Sequence, residues 1–150
     1  MKKNAGFTLI ELLIVIAIIG ILSSIVLSSL SVARSKGKDA AAKSEMESIR
    51  STASLYLDNF GGSYGSDGTD CANPTSVFDS SRANNLNTII LDAQNKVNST
   101  AVCANTATAY VVALPLQNGT NWCVDSQGFS DVTPFVLTGV GSIQEKVACK

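Results

Sequence analysis

The sequence predicts an α+β protein in which one long N-terminal helix is followed by a small antiparallel sheet. Three observations predict it. An uncharged run from Leu12 to Ala33 passes into a segment whose apolar residues recur every three or four positions. Gly61-Gly62 interrupts that pattern. Beyond residue 107 the chain breaks into short stretches rich in Val and aromatics, separated by turn formers. The 150 residues are 45% hydrophobic and only 15% charged, too apolar for a disordered chain. A net charge of −1 supplies no basic field for nucleic acid. Histidine is absent, which excludes Ser-His-Asp triads, Cys-His dyads and His-ligated metal sites.

The first element is the most informative. Residues 1–6, Met-Lys-Lys-Asn-Ala-Gly, form a short basic leader, and Phe7-Thr8-Leu9-Ile10-Glu11 opens the apolar run. Lys2 and Lys3 ahead of such a run place the leader in the cytoplasm and the remainder outside. Glu11 is the anomaly. A carboxylate within an apolar span costs about 2.5–3.5 kcal/mol on insertion scales, so it requires a partner. Two plainer readings stand beside this one. The segment is a secretory signal cut after Ser31-Val32-Ala33, or a simple anchor whose Glu11 reaches toward the headgroups.

Gly6 followed by Phe7-Thr8-Leu9-Ile10-Glu11 and a long aliphatic stretch resembles the class III leader of type IV pilins and pseudopilins. The resemblance covers about the first thirty residues. It implies cleavage between Gly6 and Phe7 by a prepilin peptidase, N-methylation of Phe7 by the same enzyme, and a role for Glu11 in assembly. In a bundle of such helices, Glu11 of one copy would meet the Phe7 amine of the next. It also implies a type IV pilin-like fold. No proline precedes Pro74, so a bend in this helix would fall at Gly20 or at the Ser23-Ser24 and Ser28-Ser29 pairs.

The helix is expected to continue past the bilayer, because Ala42, Met46, Ile49, Ala53, Tyr56, Leu57 and Phe60 share one face. Arg34, Lys36, Lys38, Lys43 and Arg50 flank that face, mixed with Asp39, Glu45 and Glu47. From Phe7 to Phe60 such a rod would be roughly 80 Å long. Residues 61–106, rich in Gly, Ser, Asn, Thr and Asp, read as a connecting loop. Leu86, Ile89, Ile90, Ala93 and Val97 mark one short helix inside it. Strands are expected at Thr108–Leu116, Asn121–Asp125, Thr133–Val140 and Ile143–Cys149. The expected organisation is a leader over 1–6, a membrane or filament-core helix over 7–33, and an extracytoplasmic head over 34–150. The head divides into a spine (34–60), a loop (61–106), and a sheet with a C-terminal disulfide region (107–150).

Cys71, Cys103, Cys123 and Cys149 all fall in the exported part, where an even count implies disulfides. Three pairings are open. The expected one joins Cys71 to Cys103, closing the loop, and Cys123 to Cys149, tying down the last strand. No CxxC pair or histidine supports zinc. The acidic loop Ser66-Asp67-Gly68-Thr69-Asp70 lacks EF-hand ligand spacing and reads as a solvated turn. Asn98-Ser99-Thr100 and Asn118-Gly119-Thr120 match the glycosylation acceptor pattern. Trp122 reads as packing in the sheet or against the spine.

No catalytic constellation, cofactor or metal is expected. The resemblance implies a structural subunit of a type IV pilus-like filament. Its partners would be other copies of itself, the inner membrane before assembly, the prepilin peptidase and the pilus assembly machinery. It would move from inner membrane to cell-surface fimbrium. The alternatives are a pseudopilin of a type II secretion or competence system, and a secreted binding protein or enzyme released after Ala33. Adhesion, motility, and contact with surfaces or DNA are left equally open by these residues.

Overall fold

A computed structural model of the chain describes residues 6–82, 86–133 and 148–149. Its elements are α1 (Leu9–Asn59), α2 (Asn87–Val97), β1 (Val102–Asn105), β2 (Tyr110–Pro115), β3 (Asn121–Asp125) and β4 (Ser130–Thr133). This is the α+β arrangement, one long helix plus a four-stranded antiparallel sheet in the order β1-β2-β3-β4, consistent with a pilin-like fold. The chain divides into two compact units, residues 1–34 and 35–150.

Every residue from Gly6 to Arg34 is exposed. The helix continues through Gly20 and both serine pairs. Ser24 keeps its hydroxyl satisfied within the helix, donating from Oγ to the Ile21 carbonyl at 2.8 Å.

In the second unit α1 buries Asp39, Ala42, Met46, Ile49, Ala53 and Tyr56, steps of three and four that line up one narrow stripe. Leu57 packs at the edge of the core, and Phe60, 39% exposed, stacks on Tyr56 with ring centroids 4.4 Å apart. The helix stops where the left-handed backbone of Gly61 and Gly62 (φ 71° and 79°) turns the chain, and Gly62 N–H donates to the Leu57 carbonyl. Against the stripe lie Tyr64, Val77 and Phe78 of the following loop, Leu86, Ile90, Ala93 and Val97 from around α2, and one face of the sheet. That face carries Cys103, Tyr110, Val112, Leu114 and Val124. The alternate residues Ala104, Val111, Ala113 and Cys123 form a smaller cluster with Cys149 on the other face. β2 is thus buried on both sides, which explains its unbroken Tyr-Val-Val-Ala-Leu run.

The short helix predicted within the loop is α2. It ends at Asn98, which takes the left-handed conformation and donates its N–H to the Gln94 carbonyl. Two segments differ from expectation. Val102–Asn105, assigned to the loop, is strand β1. Only four residues long, it is held by pairing to β2 and by a bridge in which Asn105 and Gly68 exchange both backbone hydrogen bonds. The strand after β3 begins at Ser130, not Thr133, because the turn at Gln127-Gly128 lets pairing resume at once. The remainder of the strand expected at 133–140, and residues 143–147 of the last one, lie outside the described residues.

Candidate functional site

The candidate site at the N-terminus is built by the first turn of α1. Thr8 precedes the helix and Glu11 lies in its opening turn. Thr8 N–H and Oγ1 both donate to Glu11 Oε2, at 2.9 and 2.7 Å, and Glu11 N–H donates back to Thr8 Oγ1 at 3.3 Å. This reciprocal arrangement is a capping box. It satisfies N–H groups that an α-helix otherwise leaves orphaned at its start. Glu11 therefore has a partner within its own chain, and among the described residues none bonds its second carboxylate oxygen, Oε1. Thr8 escaped the sequence reading, although the Thr-x-x-Glu spacing was there to signal it.

Gly6 and Phe7 lie just before this turn, and Phe7 is 85% exposed. A Cβ placed on Gly6 would meet nothing within 4 Å, and its backbone is not left-handed. Among the described residues nothing requires glycine at that position. From Leu9 onward the helix is long and apolar enough to cross a membrane, and none of its apolar window is buried.

In the second unit Cys71 is bonded to Cys103 and Cys123 to Cys149, with Cα separations of 5.0 and 5.9 Å. The first joins the loop to β1. The second joins β3 to the residue at 149, where Asp125 completes the attachment. The Asp125 carboxylate is buried and accepts from Gln127 and Phe129 N–H through Oδ1 and from Cys149 N–H through Oδ2 at 2.9 Å. A second buried carboxylate, Asp39, accepts from Gln117 N–H at 2.8 Å and Asn118 N–H at 3.2 Å, fastening the β2–β3 turn to α1. Sequence reasoning found neither role, since their donors are backbone groups that only the fold brings near.

The remaining candidates are dispersed. Asp70 accepts from Ala72 N–H in a local turn, and Asp67 is exposed. Among the described residues no three acidic, Cys or His side chains converge on one point. Asn98 is exposed. Asn118 is exposed as well and accepts from Thr120 N–H and Oγ1. Trp122 packs against the core with the Lys43 ammonium 4.5 Å from its ring centroid. Asp79 accepts from Ser81 and from Arg82 Nε at 2.8 Å, and the Ser81 hydroxyl and N–H, with Arg82 behind them, hold its carboxyl below the ordinary range.

Residues 1–27 match the family described as the prokaryotic N-terminal methylation motif, the class III leader of type IV pilins and pseudopilins. No curated protein matches the chain, and no solved structure matches it. The motif implies processing by a prepilin peptidase. With the exposed apolar helix it fits a membrane-anchored precursor of pilin or pseudopilin type.

Proposed function

We propose that this chain is a structural subunit of a type IV pilus-like filament, cut after Gly6, methylated on Phe7, and polymerised through the first half of α1. One observation carries the reading. A methylation leader is joined to a helix whose apolar residues are exposed on every side. Such a helix needs a solvent of its own kind, either lipid before assembly or other copies of itself afterwards. A glycine that the fold itself does not require is what recognition by an outside enzyme would leave behind.

Glu11 then serves two purposes. Its Oε2 closes the capping box, and Oε1 is available to the Phe7 amine of a neighbouring copy. Carboxylate and amine would each be costly alone in an apolar bundle, and pairing them fixes the register between subunits. Glu11→Gln separates the two purposes, because glutamine also closes a capping box but carries no charge. Cells making only the Glu11→Gln protein should process it normally, giving a mature chain whose mass begins at N-methyl-Phe7. They should yield few or no sheared surface filaments. Filaments at wild-type yield would return Glu11 to a purely local role. A mature chain beginning at Arg34 would replace the filament reading with that of a released protein.

A further inference from the structure

One end of the second unit is assembled from three segments far apart in sequence. Asp39 holds the N–H groups of Gln117 and Asn118. Ser35 Oγ donates to Gln117 Oε1 at 2.8 Å, and Gln117 Nε2 donates to the Val97 carbonyl at 3.3 Å. Residues 35–39, the β2–β3 turn and the end of α2 therefore share one base.

Among the described residues, the unpaired charge on this base is of one sign. Lys36 and Lys38 are exposed, and neither has a carboxylate partner among the described residues, whose ion pairs are Arg82–Asp79 and Lys96–Glu45. The Asp39 carboxylate is buried, its oxygens taken up by two backbone donors. The other exposed groups here, Asn98, Thr100, Gln117 and Asn118, are neutral hydrogen-bonding side chains.

Chain connectivity says where Lys36 and Lys38 fall. The uncharged run from Leu12 to Ala33 measures about 33 Å as a helix. A bilayer hydrocarbon core is about 30 Å thick, with the headgroup layers beyond it. Lys36 and Lys38 follow Ala33 by only three and five positions, so whenever the run spans a membrane they arrive at headgroup depth. Water alone would solvate two lysines equally well, but it does not account for a base where, among the described residues, the nearby carboxylates of Asp39 and Glu45 are taken up by partners and the two lysines are not.

We propose that this base is a docking surface for the headgroups of anionic phospholipids. Lys36 and Lys38 engage lipid phosphate, and the amides and hydroxyls of the two turns hydrogen-bond around it. The proposal rests on the membrane-anchored reading above. An acidic face of a second copy would offer the same charge. Lipid is favoured because the anchoring helix delivers these lysines to it in every monomer before assembly, whether or not a second copy is near.

The test uses the full-length processed chain in phosphatidylcholine vesicles with and without phosphatidylglycerol. Amine acylation is read by peptide mapping, with Lys96, already paired to Glu45, as the internal reference. Phosphatidylglycerol should slow acylation of Lys36 and Lys38 several-fold relative to Lys96, and high salt should restore it. Trp122, the single tryptophan, lies one residue past the β2–β3 turn as bounded by Asn121 and reports on the same end. Its quenching by headgroup-labelled lipid should rise in the anionic vesicles, and K36Q/K38Q should abolish that rise. Equal acylation in both vesicle types, or a rise that survives K36Q/K38Q, would overturn the proposal. So would protection that tracks protein density at constant lipid, which would mark a second copy as the partner. A chain that washes out of the vesicles would remove the anchored reading itself, a result distinguishable from all of these.

Discussion

The two halves of α1 are one continuous helix written for two different solvents. Before residue 35 the aliphatic side chains leave no polar face: Leu9, Ile16, Ile21 and Leu27 are all well over half exposed. After it only one stripe is apolar, and Ala42, Met46 and Ile49 are completely buried while their neighbours carry charge. The contrast teaches that helix formation and helix burial are separate questions here. Backbone hydrogen bonding runs through both halves alike, whereas the apolar surface of the first lies exposed.

The sharpest way to break that comparison is to make the same truncation in each half. Ile49→Ala should destabilise the head by about 2–5 kcal/mol, because the side chain is enclosed by two helices and a sheet that cannot collapse onto the gap. Ile16→Ala should leave head stability, measured by denaturant melts in detergent, unchanged within error. Equal losses would mean that the first half is buried against the rest of the chain.

The second test concerns the far end of the chain. Cys149→Ser removes a cross-link between residues 26 positions apart, which the chain-entropy model values at roughly 3 kcal/mol. The loss should be smaller than that of the double variant lacking Cys71 as well, and calorimetry of the three proteins would rank them. A Cys149→Ser protein as stable as the parent would show that Asp125 alone secures that end.

The positions of these tests mark where the sequence was readable. The stripe from Ala42 to Tyr56 was legible because a helix repeats its face every few residues, and α2 was legible for the same reason. β1 was not, since four residues framed by polar ones carry no period, and its partners are β2, Gly68 and a disulfide. The leader motif was legible as local chemistry; the Thr8–Glu11 spacing is equally local, yet its capping role went unread beside the stronger signal of an apolar span. Asp39 and Asp125 looked like ordinary solvated acids, because a carboxylate's spacing in sequence says nothing about backbone N–H groups 78 or 24 positions away.

The smallest expected effect is one of pH and belongs to the second unit alone. The Asp79 carboxyl lies below its ordinary value of 3.8, chiefly through the Ser81 hydroxyl. A depressed acid contributes stability that is fully present above that ordinary value and is lost as pH falls through the folded one. Asp79→Asn should therefore flatten the acid limb of the head's stability curve while changing little near neutrality. An acid limb of unchanged slope in melts across that range would count against it.

The buried stripe of α1 has a geometric consequence of its own. Asp39, Ala42, Met46, Ile49, Ala53 and Tyr56 are spaced 3, 4, 3, 4, 3, a strict seven-residue repeat. A straight α-helix does not close on seven residues, so the contact line slips around the rod by about 20° per heptad, in the left-handed sense. The sheet and α2 must follow that line as a wrap, not lie along the helix as a flat plate. The free surface of the spine consequently turns as it rises, and each level presents a different sector of it to whatever stands beside it.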